Sequence, residues 1–120
     1  MTTELMHFIG GKRVAASSDC FGDVFWPMTG EVAARVGFAA PADVRTAVAN
    51  AKAAQPGWAA TNPQRRARVM MKFVDLLNRD MEKLADTLAR EHGKVIADAK
   101  GDVQRGLEVA EFAIGVPHLM

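Results

Sequence analysis

Asn62-Pro63-Gln64-Arg65-Arg66-Ala67-Arg68-Val69-Met70-Met71-Lys72-Phe73-Val74-Asp75-Leu76-Leu77 carries the strongest helix signal in the sequence. Asn62 is suited to cap a helix, and Pro63 is acceptable at the first helical position, where its missing N–H costs nothing. An unbroken run of helix formers follows, with Ala67, Met70, Met71, Phe73, Val74 and Leu77 making an apolar face. Asn78-Arg79-Asp80 reads as a short break or kink. Met81, Leu84, Ala85 and Leu88 then resume the period, and Gly93 stands where a C-terminal cap belongs. The spacing predicts helix over about 63–92, interrupted once.

The flanking segments are assigned from this anchor. Downstream, Ile96, Ala99, Val103, Leu107, Ala110 and Ile114 form the stripe of a helix over about 95–113, and Pro117 discourages its continuation. Upstream, Pro41 opens a helix over about 41–54 with Val44, Ala47, Val48 and Ala51 on one face. Gln55-Pro56-Gly57 is expected to end it, with Trp58 following as an anchor in a core. Residues 7–36 read as two small β-ribbons. In the first, Gly10-Gly11 supplies the positive φ angles of a tight hairpin within His7–Val14. In the second, Pro27-Met28-Thr29-Gly30 forms the turn between Asp23–Trp26 and Val32–Val36. The chain is therefore expected to be mostly α, with N-terminal β-ribbons followed by about three helices.

Composition bounds the rest. A chain of 120 residues is enough for one domain and short for two ordinary ones. Apolar residues at 49% and charged residues at 24% are a globular balance, and a formal net charge of +1 argues against nucleic acid or an anionic membrane as partner. A single cysteine allows no intrachain disulfide. Met1-Thr2-Thr3-Glu4-Leu5-Met6-His7 has no basic-then-apolar pattern of a signal peptide, and no apolar run approaches the ~20 residues of a membrane span. A soluble cytoplasmic protein is expected.

Few residues offer chemistry on their own. Cys20 sits in Ser18-Asp19-Cys20-Phe21, where the neighbouring acid would raise a thiol pKa, so it reads as an ordinary thiol rather than a nucleophile. His7, His92 and His118 have no metal-ligand spacing. Neither Gly10-Gly11 nor Gly101-Asp102-Val103-Gln104-Arg105-Gly106 follows a buried strand and opens a helix, as a dinucleotide fingerprint must. Catalytic, cofactor-binding and metal-binding residues are thus expected to be absent from this segment. Arg65, Arg66, Arg68 and Lys72 form a basic cluster at the start of a helix, against the macrodipole; a solvated face or pairing with a neighbouring part of a larger protein accounts for it better than anion binding. Arg105 lies off the apolar stripe and is expected to pair with Glu108 one turn later. Gly101 and Gly106 flank it at a cost of ~1 kcal/mol each relative to alanine, a cost that often marks close approach of a backbone or ligand.

The ordered set of segments resembles the N-terminal region of the aldehyde dehydrogenase superfamily. Phe8-Ile9-Gly10-Gly11-Lys12 is similar to its opening hairpin, and Pro27-Met28-Thr29-Gly30-Glu31 to its second turn. Ala54-Gln55-Pro56-Gly57-Trp58 and Arg65-Arg66-Ala67-Arg68 resemble its first two helices, and Glu91-His92-Gly93-Lys94 its Glu-x-Gly-Lys element. The stretch Gly101-Asp102-Val103-Gln104-Arg105-Gly106-Leu107-Glu108-Val109-Ala110-Glu111-Phe112-Ala113 resembles the coenzyme-A-acylating methylmalonate-semialdehyde dehydrogenase branch, which acts in valine catabolism. Trp26, Val95 and Gly37-Phe38 depart from the usual residues of the family.

That resemblance implies an α/β parent enzyme in which a cysteine thiolate attacks a semialdehyde, hydride passes to NAD, and the acyl group moves to coenzyme A. The product is propionyl-CoA with loss of CO2, or acetyl-CoA from malonate semialdehyde. It implies that Arg105 is associated with the substrate carboxylate, a role suited to a planar, permanently charged guanidinium. It places the catalytic cysteine, the glutamate, the NAD-binding turn and the oligomerisation strands beyond residue 120, so Cys20 does not map onto the nucleophile. The 120 residues would be the N-terminal, outer part of the NAD-binding domain of a homo-oligomer. Alone they would bind neither NAD nor coenzyme A, be inactive, and expose the apolar faces of the second and third helices. The rival reading is a non-catalytic helical interaction module derived from such an enzyme.

Overall fold

The computed structural model describes residues 3–119; Met1 and Thr2 of the expected leaderless start, and Met120, lie outside them. The chain divides into two compact units, Met1–Ala60 and Thr61–Met120.

In the first unit the turns form where the glycines direct. Strands β2 (His7–Ile9) and β3 (Lys12–Val14) are an antiparallel hairpin, with Gly10 and Gly11 at φ of 62° and 76°. Strands β4 (Phe21–Phe25) and β5 (Val32–Gly37) are antiparallel across the expected turn, which Trp26 closes by donating to Glu31 and accepting from Gly30, each at 2.8 Å. The sequence reading left out β1 (Thr3–Leu5), which pairs parallel with β5 and makes a three-stranded sheet in the order β1-β5-β4. Parallel pairing joins segments far apart in sequence, so no local turn announces it. Asp23 and Arg35, opposite one another, form an ion pair at 3.2 Å, and the guanidinium lies 5.1 Å from the Phe21 ring centre.

Helix α1 spans Pro41–Ala60, six residues past the expected end at Ala54. Proline removes one hydrogen bond and strains one turn, and the alanines on both sides of Pro56 favour helix strongly enough to carry the backbone through it. Trp58 is 48% exposed, so within this chain it anchors no core. The start of α1 is better secured than its sequence suggested. Asp43 reaches back to accept the Ala40 N–H at 2.9 Å, a capping-box arrangement, and also accepts the Ser17 N–H at 3.0 Å.

In the second unit the interrupted helix is two helices, α2 (Pro63–Arg79) and α3 (Met81–His92), with the break at Asp80, where Arg79 clasps the Asp80 carboxylate through Nε and Nη2. Asn62 caps α2 by accepting the Gln64 N–H, and Gly93 caps α3 in the left-handed conformation. Helix α4 (Ile96–Ile114) follows, then a 3-10 turn over Val116–Leu119 containing Pro117.

The core of this unit is made of small residues. Ala85 and Ala99 are fully buried and, with Ala89, join α3 to α4, while Ala67, Leu107 and Ala110 are the other buried positions. Among the described residues no large side chain is fully buried. A buried methyl contributes ~0.8 kcal/mol, against ~1.5–3 for a buried leucine or phenylalanine, so this core is weak for its length. Large apolar groups stand outside it: Val109 and Phe112 are 69% and 72% exposed, and Val69, Met71 and Phe73 of α2 are also exposed. Phe73, Leu77, Leu84, Leu88, Val103 and Leu107 line an open apolar groove among α2, α3 and α4.

The accessible surface totals 9012 Å2. Even two separate compact bodies sharing the 13.0 kDa mass would expose only about 7,700 Å2 together.

The departure at Gly37-Phe38 has a packing reason. A methyl on Gly37 would sit 2.6 Å from the Ala16 side chain, and one on Gly22 would sit 2.7 Å from the Phe38 ring. Overpacking at such a site costs ~1–3 kcal/mol. Gly37→Ala is therefore expected to lower the urea midpoint of the protein, while alanine at the exposed Val48 leaves it within experimental scatter.

Candidate functional site

The site begins at the turn between α3 and α4. Gly93 ends α3, its N–H and that of Lys94 both donating to the Ala89 carbonyl, at 2.9 and 3.2 Å. Val95 is extended and α4 starts at Ile96, so the chain reverses within three residues. The alanine contact then lets the two helices lie close, and Lys100 ties α4 to Glu82 of α3 at 2.7 Å. Lys94, just before α4, folds back along it to reach Asp102, nearly two turns on.

Asp102 holds two cations at once. Its Oδ2 accepts from Lys94 Nζ and its Oδ1 from Arg105 Nη2. The Lys94 and Asp102 side chains are 20% and 30% exposed, whereas Arg105 is 74% exposed. Hydrogen bonding from Lys94, and next from Arg105, holds the Asp102 carboxyl below its usual range. Arg105 thus pairs with Asp102 one turn earlier, not with Glu108 as the sequence reading had it; Glu108 accepts instead from Gln104 at 3.2 Å. The i,i+3 spacing of Asp102 and Arg105 was visible in the sequence. Lys94 was not predictable from helical periodicity, because it precedes the first turn of α4.

The other candidates stay apart from this cluster. Cys20 is a free, exposed thiol whose N–H donates to Ser18 Oγ at 3.3 Å. No group of three or more His, Cys, Asp or Glu residues that could hold a metal occurs among the described residues. His7 Nε2 is buried without a hydrogen-bond partner, beside the α1 residues Asp43, Val44, Ala47 and Val48. Among the described residues Arg65, Arg66, Arg68 and Lys72 form no ion pair, and Arg68 and Lys72 flank an apolar strip of Val69, Phe73 and Leu76.

A dinucleotide does not fit the residues present. The connection from β5 into α1 is the place where a strand feeds a helix. Its helix start carries Pro41, which has no N–H, and the Asp43 carboxylate occupies the capping position, where it would repel a pyrophosphate. The Ser17 N–H first, then the Ser17 hydroxyl and the Ala40 N–H, hold Asp43 below its usual range.

With fold and site described, the class of protein follows. The chain belongs to the aldehyde dehydrogenase family, whose profile it matches over residues 14–120. Its relatives are more specific. It is 44% identical over 119 residues to malonate-semialdehyde dehydrogenase 1 of Geobacillus kaustophilus, covering 99% of this chain and 24% of that protein. It is 42% identical over 113 residues to the human mitochondrial acylating methylmalonate-semialdehyde/malonate-semialdehyde dehydrogenase, covering 94% of this chain and 21% of that one. A crystal structure named as a methylmalonate-semialdehyde dehydrogenase, from Sinorhizobium meliloti 1021 in complex with NAD, superposes with a TM-score of 0.94 at 64% identity, over 99% of this chain and 24% of that one. The chain therefore spans about a quarter of the length of the relatives it matches.

The sign of the Asp102 shift sets a pH dependence. A lowered folded-state pKa stabilises the fold fully above the unfolded value of ~3.9, and that contribution is lost as pH falls through the folded value. The carboxyl resonance of Asp102 is expected to titrate below the usual aspartate midpoint, and Lys94→Met to move it upward, in an NMR pH series.

Proposed function

We propose that these residues are the N-terminal segment of an NAD-dependent, coenzyme-A-acylating dehydrogenase that oxidises methylmalonate semialdehyde to propionyl-CoA, or malonate semialdehyde to acetyl-CoA. The single observation that carries this reading is the 64% identity, over 99% of the chain, to a structure bearing the methylmalonate-semialdehyde dehydrogenase name. In this reading the segment is an outer part of the NAD-binding domain of a cytoplasmic homo-oligomer. It supplies no nucleophile and no cofactor cradle, and both NAD and coenzyme A bind elsewhere in the parent chain.

What the segment contributes is Arg105. Both proposed substrates carry a carboxylate besides the aldehyde, and a guanidinium binds a carboxylate through parallel N–H donors. The exposure of Arg105 and its position on a helix braced by its neighbour suit that task. The exposed apolar residues of α2 and α4 are, in the same reading, surfaces that the remainder of the parent covers. An interaction module derived from the family would present similar surfaces. The 64% identity over 99% of the chain favours the dehydrogenase.

The test is NADH formation from methylmalonate semialdehyde and coenzyme A. The 120-residue chain is expected to give none, and the full-length dehydrogenase carrying this segment to turn over. In that enzyme Arg105→Ala is expected to lower the preference for the carboxylated substrate over propionaldehyde by roughly ten- to a hundredfold, the worth of a charge-assisted hydrogen bond. Turnover by the 120 residues alone would overturn the assignment.

A further inference from the structure

The cluster at the α3–α4 turn contains one more cation than Arg105 needs. A lone Asp102–Arg105 pair would be electrically neutral, and the guanidinium would offer an incoming carboxylate hydrogen bonds but little net charge. Lys94 changes that balance. Its ammonium binds the other oxygen of Asp102, so two cations share one carboxylate and the trio keeps a single positive charge. The trio is also graded in exposure, from Lys94 through Asp102 out to Arg105. The uncompensated charge therefore faces solvent at the guanidinium. Arg105 uses one of its five N–H donors on Asp102, which leaves four for a ligand.

We propose that Lys94 is a positioning residue for substrate specificity: by satisfying Asp102, it leaves Arg105 with a free positive charge for the carboxylate of the semialdehyde. This rests on the reading that Arg105 meets that carboxylate. Lys94 itself does not touch the substrate. Its effect passes through Asp102, whose carboxylate is ionised at neutral pH and accepts from both cations.

The experiment uses the full-length dehydrogenase carrying this segment and reads the ratio of kcat/KM for methylmalonate semialdehyde to that for propionaldehyde, which has no carboxylate. Lys94→Met is expected to lower the ratio about three- to fivefold, as loss of a partly screened charge interaction would. Lys94→Arg should keep it. Adding Asp102→Asn to Lys94→Met removes the carboxylate that Lys94 had balanced, and should return the ratio to within about twofold of the wild type. Lys94→Gln serves as a second neutral variant if the methionine change impairs folding. Structural damage alone would reduce turnover of both aldehydes and leave the ratio where it was, and that result would overturn the proposal. So would failure of Asp102→Asn to restore the ratio. The Arg105→Ala enzyme separates the two readings. If it keeps the wild-type ratio, the carboxylate role of Arg105 fails; if it loses the ratio while Lys94→Met keeps it, only the role of Lys94 fails.

Discussion

The close approach of α3 and α4 over Ala85, Ala89 and Ala99 is the contact on which the second unit depends. Methyl groups permit it because they hold no bulk between the helix backbones. The same small size limits what the contact contributes to stability, since burial free energy follows apolar area. A core made of alanine leaves leucine, valine and phenylalanine elsewhere, and here they lie along the groove and on the outer faces of α2 and α4. Weak inside and apolar outside are thus two consequences of one choice of side chains.

The candidate site lies where α3 gives way to α4. Lys94 stands just before the first turn of α4, within reach of Asp102 on that helix. Arg105 is then held through Asp102 from its own helix, one turn along. The electrostatics follow from placement: a carboxylate with two donors stays ionised, and the more exposed of its two cations faces outward. None of this needs a buried charge, so the large desolvation cost of ionic groups in a core is avoided.

Much of the architecture was legible in sequence because its signals are local. Asn62-Pro63 marked the start of α2, Gly93 marked the end of α3, and Gly10-Gly11 marked the hairpin. The stripe from Ile96 to Ile114 matched α4 nearly residue for residue. The failures share a cause. The β1–β5 pairing, the Ser17–Asp43 bond and the reach of Lys94 to Asp102 all join residues through space without a periodic trace. Pro56 misled for the opposite reason: a strong local breaker was outweighed by the alanines around it. Trp58 misled because it lies within α1 rather than after it, and stands half exposed there. Arg105 was singled out through resemblance, and its pairing with Asp102 came from the structure.

The central claim of the proposed function is that the exposed apolar faces of this chain are covered in a longer dehydrogenase. The most direct measurement is the fluorescence of a hydrophobic dye such as anilinonaphthalene sulfonate on the purified 120-residue chain, compared with the full-length enzyme at equal molar concentration of chain. The account predicts strong enhancement with the 120 residues and little with the full enzyme. A chain that leaves the dye dark while remaining a folded monomer would show that those faces need no cover, and would contradict it.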